Sequence, residues 1–122
     1  MIIRAKAPLR ISFAGGGTDV PPFPAQQGGL VLNATINRYA YGTLRSREDD
    51  NIQILSHDYG LTTEFGVHEP LVFDGKLDLA KAAIRRFAGR ESRGFDLLLH
   101  SNAPPGSGLG SEGTLPRTRP PR

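Results

Sequence analysis

The sequence predicts an α+β fold built on one sheet, and three observations support this prediction. Apolar and β-branched runs dominate residues 2–65, one later segment has a helical period, and a Gly-rich loop follows one further apolar run. Strands and helices do not alternate, which argues against a doubly wound sheet. With 122 residues, of which 38% are hydrophobic and 22% charged, the chain has the length and composition of one modest globular domain.

Six short runs are predicted to be strands because they are apolar and rich in β-branched residues. The second run alternates apolar and polar side chains, as a half-buried strand does, and Pro8 separates it from the first. A turn at residues 58–60 makes the last two runs a hairpin. The six runs are 2–5, 9–14, 30–36, 39–44, 52–55 and 61–65.

A Gly- and Pro-rich segment separates the second run from the third. Gly15-Gly16-Gly17-Thr18-Asp19 ends the strand, because three consecutive glycines allow backbone angles that are closed to other residues. Pro21, Pro22 and Pro24 then predict an extended, non-helical connection.

One helix is predicted before residue 100, because five apolar side chains recur on one face. Asp74 is placed to cap its start and Gly89 to end it. A short apolar strand follows at 95–100 and leads into the Gly-rich loop. The five apolar residues are Leu77, Ala80, Ala83, Ile84 and Phe87.

The net charge of +3 gives no support to nucleic-acid binding. All twelve acidic residues lie at or before Glu112, where twelve basic residues balance them. The excess consists of Arg117, Arg119 and Arg122, in a Pro/Arg-rich tail over 113–122. The body of the chain is therefore neutral, and no nucleic-acid partner is predicted.

The composition also excludes several other classes of protein. With no Cys, the chain forms neither a disulfide nor a thiolate metal site, and its three His form no pair at helical spacing. The sequence therefore predicts no metal held by the protein, and any metal would arrive with a ligand. No apolar run is long enough to span a membrane and no signal peptide is recognisable, so we expect a cytoplasmic protein without a membrane partner.

The loop after the last predicted strand has the composition of a phosphate-binding loop. Three glycines at alternating positions remove Cβ atoms, so successive backbone N–H groups can point at an anion. A helix starting after Gly110 would add its dipole to the same site. The loop matches neither a Walker A loop nor a dinucleotide-binding turn, and a plain turn is the alternative. Its residues are Pro105, Gly106, Ser107, Gly108, Leu109, Gly110 and Ser111.

A second candidate segment runs from Ala7-Pro8-Leu9-Arg10 to the three glycines and Asp19. Strand geometry directs Arg10 away from its apolar neighbours, and the glycines let a ligand approach the backbone. A carboxylate such as Asp19 can accept hydrogen bonds from sugar hydroxyls, and an Arg can neutralise phosphate charge. A surface Arg and an Asp that caps its own turn are the alternatives.

Together the two segments resemble motifs of the GHMP family of small-molecule kinases. Pro104 to Ser111 is similar to the family motif Pro-x-x-x-Gly-Leu-x-Ser-Ser up to its first Ser. Ala7 to Arg10 and Gly15 to Asp19 resemble the first family motif. The Gly-Gly-Gly-Thr-Asp version looks most like the branch that phosphorylates D-glycero-D-manno-heptose 7-phosphate, with fucose kinases as near relatives.

The resemblance implies the ribosomal-protein-S5-domain-2-like fold of an N-terminal kinase half, a mixed sheet with helices on one face. It also implies ATP-dependent phosphorylation of a sugar or sugar phosphate, with Mg²⁺ bridging the ATP phosphates. The loop from Pro105 to Ser111 would bind those phosphates, and Arg10 would lie near the transferred phosphoryl group as the catalytic residue. Gly16, Gly17, Thr18 and Asp19 would contact the sugar.

The chain departs from the family pattern after residue 111. Gly113 and Pro116 oppose the helix that the motif calls for, and Glu112 puts a negative charge beside the phosphate loop. We therefore expect a truncated kinase domain over 1–112 and a tail over 113–122 that is disordered or out of frame. The family's remaining motif, base and metal carboxylates would lie further along, so the 122-residue chain is expected to be inactive by itself.

Two alternatives to a kinase fragment stay open at the level of sequence. One is a non-catalytic S5-like module that binds nucleic acid through the basic tail at 113–122. The neutral body argues against it, because such modules usually have basic residues on a folded face. The other is a fragment without a function of its own.

Overall fold

The computed structural model describes residues 1–88 and 93–108, and within these ranges it has one five-stranded sheet and two helices. The strand order is β1-β2-β5-β3-β4, and β3 and β5 are the one parallel pair of neighbours. This mixed sheet confirms the predicted α+β class. The elements are β1 (Ile2–Ala14), α1 (Phe23–Gln27), β2 (Leu32–Ser46), β3 (Asn51–Ser56), β4 (Leu61–Gly66), α2 (Asp78–Phe87) and β5 (Phe95–Ser101).

The first two predicted runs form the single strand β1, and the next two form the single strand β2. Pro8 does not interrupt β1, because β1 lies at the edge of the sheet, where a missing N–H is tolerated. The register shifts beside it: Pro8 pairs with Tyr39, whereas Arg10 pairs with Thr35. The prediction of two separate strands was therefore wrong here. β1 continues through Pro8, and an irregularity in β2 accommodates the change in register.

The Pro-rich connection is not wholly extended, since α1 forms one short helical turn at its end. Pro24 stands in the first turn of α1, where backbone N–H groups have no helical partner and proline is tolerated. The Gly28 N–H donates to the Pro24 carbonyl at 3.2 Å. The two helices have five and ten residues, and no helix in the described ranges is long enough to cross a membrane.

The core lies between α2 and one face of the sheet. Ile52 and Ile54 alternate along β3 and are buried against Leu77, Ala80 and Ile84. Burying apolar surface in this way is the main source of stability for such a domain. Further half-buried residues pack around this cluster: Leu61, Phe65, Val67, Ala88, Phe95, Leu97 and Leu99.

Asp74 does not cap α2, contrary to the prediction. The cap position is Leu77, a buried residue with φ of 54° and no side-chain cap bond. Asp74 instead accepts hydrogen bonds from the Lys76 N–H at 3.1 Å and from Lys81 Nζ at 2.6 Å. Lys81 is buried on the helix and needs this partner, because a buried ammonium without one is costly. The predicted helix end at Gly89 lies outside the described residues.

α2 covers only part of its face of the sheet. Ala83 and Phe87, predicted to face the core, are exposed, and Phe87 is 85% accessible. Beside them, Ile3 on β1 and Leu44 on β2 line an apolar groove together with Leu97. Ala83 and Phe87 line the same groove, so the apolar side of the helix is only partly covered by residues 1–88 and 93–108.

A network of charges joins β2, β4 and β5 on the opposite face. Asp96 is 4% accessible and accepts hydrogen bonds from Arg45 Nε at 2.9 Å and from Arg47 Nη1 at 2.9 Å. Arg47 also contacts Asp49 through Nε and Nη2, at 2.7 and 2.6 Å, and approaches Glu64 at 3.5 Å. The buried carboxylate is thus satisfied by two guanidinium groups.

We predict that Asp96→Asn lowers the free energy of unfolding by about 1–3 kcal/mol, the usual worth of hydrogen bonds to a charged buried group. Urea denaturation followed by circular dichroism measures this change. Asp19→Asn is the matched control, because the Asp19 carboxylate is exposed and makes no ion pair within residues 1–88 and 93–108. Equal stability of the two variants would contradict a structural role for Asp96.

The same network predicts a loss of stability in acid. The hydrogen bond from Arg47, followed by that from Arg45, holds the pKa of Asp96 below its usual value. Arg47 also lowers the pKa of Asp49 to about 2. Because both carboxyls have lowered folded-state pKa values, their contribution is complete above the unfolded-state value of about 4. It disappears as the pH falls through the folded-state values, and urea midpoints between pH 5 and 2 should fall less steeply for Asp96→Asn.

Candidate functional site

The two predicted motifs lie at the same end of the sheet, and Tyr39 on β2 joins them. On one side Tyr39 pairs with Pro8 in β1. On the other, the Asn102 N–H donates to the Tyr39 carbonyl at 2.9 Å, and the Tyr39 N–H donates to Asn102 Oδ1 at 3.1 Å. The segment 7–10 and the start of the loop after β5 therefore lie on the two sides of one residue, Tyr39, which is hydrogen-bonded to the loop and paired in register with the segment.

The loop after β5 is anchored at its base and open at its tip. Ala103 is 5% accessible, and its N–H donates to Ser101 Oγ at 3.2 Å. The Ser107 N–H donates to the Pro104 carbonyl at 3.2 Å and closes a turn. The predicted loop residues Pro105 and Ser107 are exposed.

The glycines of this loop adopt a conformation that other residues avoid. Gly106 has φ of 77° and Gly108 has φ of 71°, and a Cβ at either position would meet no atom of residues 1–88 and 93–108 within 4 Å. The described part of the chain thus leaves the space above the backbone of these glycines open, as a phosphate nest requires. Leu109, Gly110 and Ser111, which were also predicted to bind phosphate, lie outside the described residues.

Arg10 stands on β1, two residues beyond the point where Pro8 pairs with Tyr39. Leu9 is buried and Arg10 is exposed, so their side chains have the opposite environments that strand alternation predicts. Within residues 1–88 and 93–108, Arg10 makes no ion pair. Its charge is therefore available to a ligand, and its assignment as the catalytic residue stays a prediction.

The Gly-rich loop after β1 packs tightly on the residues that precede β2. A Cβ on Gly15 would come within 1.8 Å of the Leu30 carbonyl oxygen, and one on Gly29 within 2.1 Å of the Thr18 carbonyl oxygen. The backbones at both places approach too closely for any side chain. Gly15 and Gly29 thus have a structural role, one that sequence alone did not reveal.

Thr18 holds this loop closed through its hydroxyl group. Thr18 Oγ1 lies 2.7 Å from the Gly15 carbonyl and 3.1 Å from the Leu30 carbonyl, and it accepts a hydrogen bond from the Leu30 N–H at 3.1 Å. The predicted sugar contact of Thr18 would therefore have to share a hydroxyl group that already stabilises the loop.

Asp19, Gly16 and Gly17 remain exposed beyond this closure. The Asp19 carboxylate makes no hydrogen bond with residues 1–88 and 93–108, so it does not cap its own turn there. Gly17 has φ of 88° and open space at its Cβ position. The predicted sugar contacts of these three residues stay untested, but the geometry leaves them accessible to a ligand.

Sequence reasoning missed Asn102 as the residue that connects the loop to β2. Its position between a strand and a Pro-containing loop is typical of turn residues, whose side chains bond nearby backbone. Its actual partner, Tyr39, is 63 residues away. No local pattern indicates a contact over that distance.

Comparison with known proteins identifies homologues among sugar kinases. The chain is 41% identical over 116 residues to the D-glycero-alpha-D-manno-heptose 7-phosphate kinase of Campylobacter jejuni, covering 93% of this chain and 34% of that protein. It is 30% identical to the galactokinase of Fusobacterium nucleatum, covering 89% of this chain and 28% of the relative. No family model matches the chain.

A solved structure shows the same relationship in three dimensions. The D-glycero-D-manno-heptose 1-phosphate kinase of Bacteroides thetaiotaomicron is 39% identical and superposes with a TM-score of 0.75, over 90% of this chain and 37% of that one. The fold is that of the GHMP kinases. More specifically, the chain is a homologue of the heptose phosphate kinases and corresponds to an N-terminal part of such an enzyme. It spans about a third of the length of these relatives.

We predict that Thr18→Val opens the loop after β1, because the variant keeps the side-chain shape and loses the hydroxyl that bonds Gly15 and Leu30. Amide hydrogen exchange of Leu30 should accelerate by about tenfold, which corresponds to the worth of one hydrogen bond. The control is Thr35→Val, since Thr35 is exposed on β2. Unchanged exchange of Leu30 would contradict the role given to Thr18.

Proposed function

We propose that the chain forms the part of a GHMP-type sugar kinase that binds ATP and the acceptor sugar, most closely that of a heptose 7-phosphate kinase. In the whole protein, the γ-phosphoryl group of ATP would pass to a hydroxyl of the sugar phosphate. The single observation that supports this best is the double hydrogen bond between Tyr39 and Asn102. Together with the pairing of Tyr39 and Pro8, it brings the start of the loop after β5 beside the segment 7–10, in a chain 41% identical to such a kinase.

In this proposal the loop from Pro105 to Ser111 binds the phosphates of ATP through backbone N–H groups. Gly106 and Gly108 contribute by their positive φ angles, which turn the backbone without a Cβ in the way. Mg²⁺ would come with ATP and would supply further neutralisation of its phosphate charge. Hence the protein's part is to position a bound nucleotide, which is most of what phosphoryl transfer needs.

Arg10 and Asp19 would act on the acceptor side. The exposed guanidinium group of Arg10 would neutralise charge on the phosphoryl group as it moves, and its planar donors suit phosphate oxygens. Asp19 would accept hydrogen bonds from sugar hydroxyls, since its carboxylate is not used by the neighbouring loop. Gly16 and Gly17 leave room for the sugar ring beside it.

Binding of Mg-ATP to the 122-residue chain tests the nucleotide half of this proposal. Titration calorimetry at millimolar concentration should detect weak binding. Gly108→Ala should weaken this binding about tenfold, because an L-amino acid in the left-handed backbone conformation costs about 1–2 kcal/mol. Gly60→Ala is the matched control: Gly60 also has positive φ, at 60°, and open space at its Cβ position, but stands in the β3–β4 turn. Equal losses in both variants would argue against a nucleotide site in this loop.

Turnover is tested in a chimera, in which residues 1–108 of this chain replace the corresponding segment of the Campylobacter jejuni kinase. We expect phosphorylation of heptose 7-phosphate, and Asp19→Asn should lower kcat/KM by about a hundredfold through lost positioning of the acceptor. Asp50→Asn, in the exposed turn before β3, should leave it unchanged. A chimera that folds by circular dichroism but shows no turnover would overturn the proposed function.

A further inference from the structure

Two of the three histidines lie next to a carboxylate where β3 and β5 end. The ligand atoms of His57, Asp58 and His100 all lie within 4.8 Å of one another. We propose that these three residues bind a transition-metal dication of the zinc type. These residues are not among those given nucleotide or sugar roles above, and the proposal goes beyond that function.

The parallel pairing of β3 and β5 creates this arrangement. His57 and Asp58 begin the turn that follows β3, and His100 lies near the end of β5. The His57 N–H donates to the Leu99 carbonyl at 3.0 Å, which fixes the turn to β5. Gly60 completes the turn with φ of 60°. The backbone therefore brings together side chains that are 42 residues apart in sequence.

The side chains are already close to a ligating arrangement. His100 Nδ1 lies 2.9 Å from Asp58 Oδ1, and the rings of His57 and His100 meet edge to face at a centroid distance of 5.3 Å. Ligands of a tetrahedral zinc ion lie about 3.4 Å apart, given bonds of about 2.1 Å. Small rotations of the two exposed imidazoles and of the half-buried Asp58 are therefore enough, with the metal replacing the proton between His100 and Asp58.

Tyr41 lies beside one of the ligands, His100. It pairs with His100 across β2 and β5, and the two rings lie nearly parallel, with 13° between their planes and 6.1 Å between centroids. A ring that is already oriented loses less rotational freedom when it binds a metal. This contact favours a built site over a chance meeting of surface side chains.

The donor set selects the class of metal. Two imidazole nitrogens and one carboxylate oxygen suit Zn²⁺, Co²⁺ or Ni²⁺, whereas Mg²⁺ prefers oxygen ligands. Both His57 and His100 are exposed, so the remaining coordination positions face solvent. Such a site leaves room for water or an anion, as three-ligand zinc sites do. The sequence-based expectation that a metal would come only with a ligand does not anticipate this site.

Titration of the 122-residue chain with Co²⁺ tests the proposal, because ligation by imidazole produces visible d–d absorption. We expect one Co²⁺ per chain, displaced by Zn²⁺ but not by Mg²⁺. His100→Ala and Asp58→Asn should each weaken binding by at least tenfold. His68→Ala is the matched control, since His68 is the third histidine of the chain and is exposed outside the cluster.

Histidine NMR provides a second measurement that does not depend on the variants. Zn²⁺ should shift the ring resonances of His57 and His100 while leaving those of His68 in place. Absence of binding at millimolar Co²⁺, equal affinity of His100→Ala and the parent chain, or a loss seen equally in His68→Ala would each overturn the proposal. Because none of these readouts involves ATP or sugar, their failure leaves the proposed kinase function unaffected.

Discussion

The position of β5 between β2 and β3 is the constraint on which the rest of the molecule depends. β5 pairs antiparallel with β2 and parallel with β3, so it joins the β1–β2 pair to the β3–β4 hairpin. Without it the two halves of the sheet would share no hydrogen-bond ladder. Near its end, β5 brings His100 beside Asp58 in the turn after β3, and Asn102, the residue after β5, beside Tyr39 in β2. The proposed metal site and the junction of the two motifs therefore follow from the same strand pairing.

The charge network shows how this central strand tolerates a buried carboxylate. Asp96 lies within β5, where an unpaired charge would be costly to bury. Arg45 on β2 and Arg47, which directly follows β2, both donate hydrogen bonds to it. Arg47 also contacts Asp49 in the turn before β3. The polar face of the sheet is thus held by charges, whereas the opposite face is held by apolar contacts with α2.

Those parts of the fold that depend on local pattern could be predicted from sequence. The apolar, β-branched run at 52–55 correctly indicated a strand, and the turn at 58–60 correctly indicated a hairpin. The glycines of the two loops indicated both candidate motifs, and the family resemblance gave the fold, which the structural comparison confirms. One prediction from local pattern was wrong. Asp74 was predicted to cap the helix, but its carboxylate accepts a hydrogen bond from the buried Lys81 instead. The contacts of Asn102, Asp96 and His100 could not be predicted, because their partners are 42 to 63 residues distant.

The link between Tyr39 and Asn102 is made mostly by backbone groups, so few side-chain substitutions can break it. Tyr39 takes part through its backbone N–H and carbonyl alone, so replacing its side chain leaves both hydrogen bonds possible. Asn102 supplies one side-chain oxygen and one backbone N–H, so substitution there removes only half of the connection. Side-chain mutagenesis therefore underestimates this link, because both bonds are lost only when the N–H groups of Tyr39 and Asn102 are both replaced by ester oxygens. Both loops can vary in sequence while the backbone keeps their spacing constant.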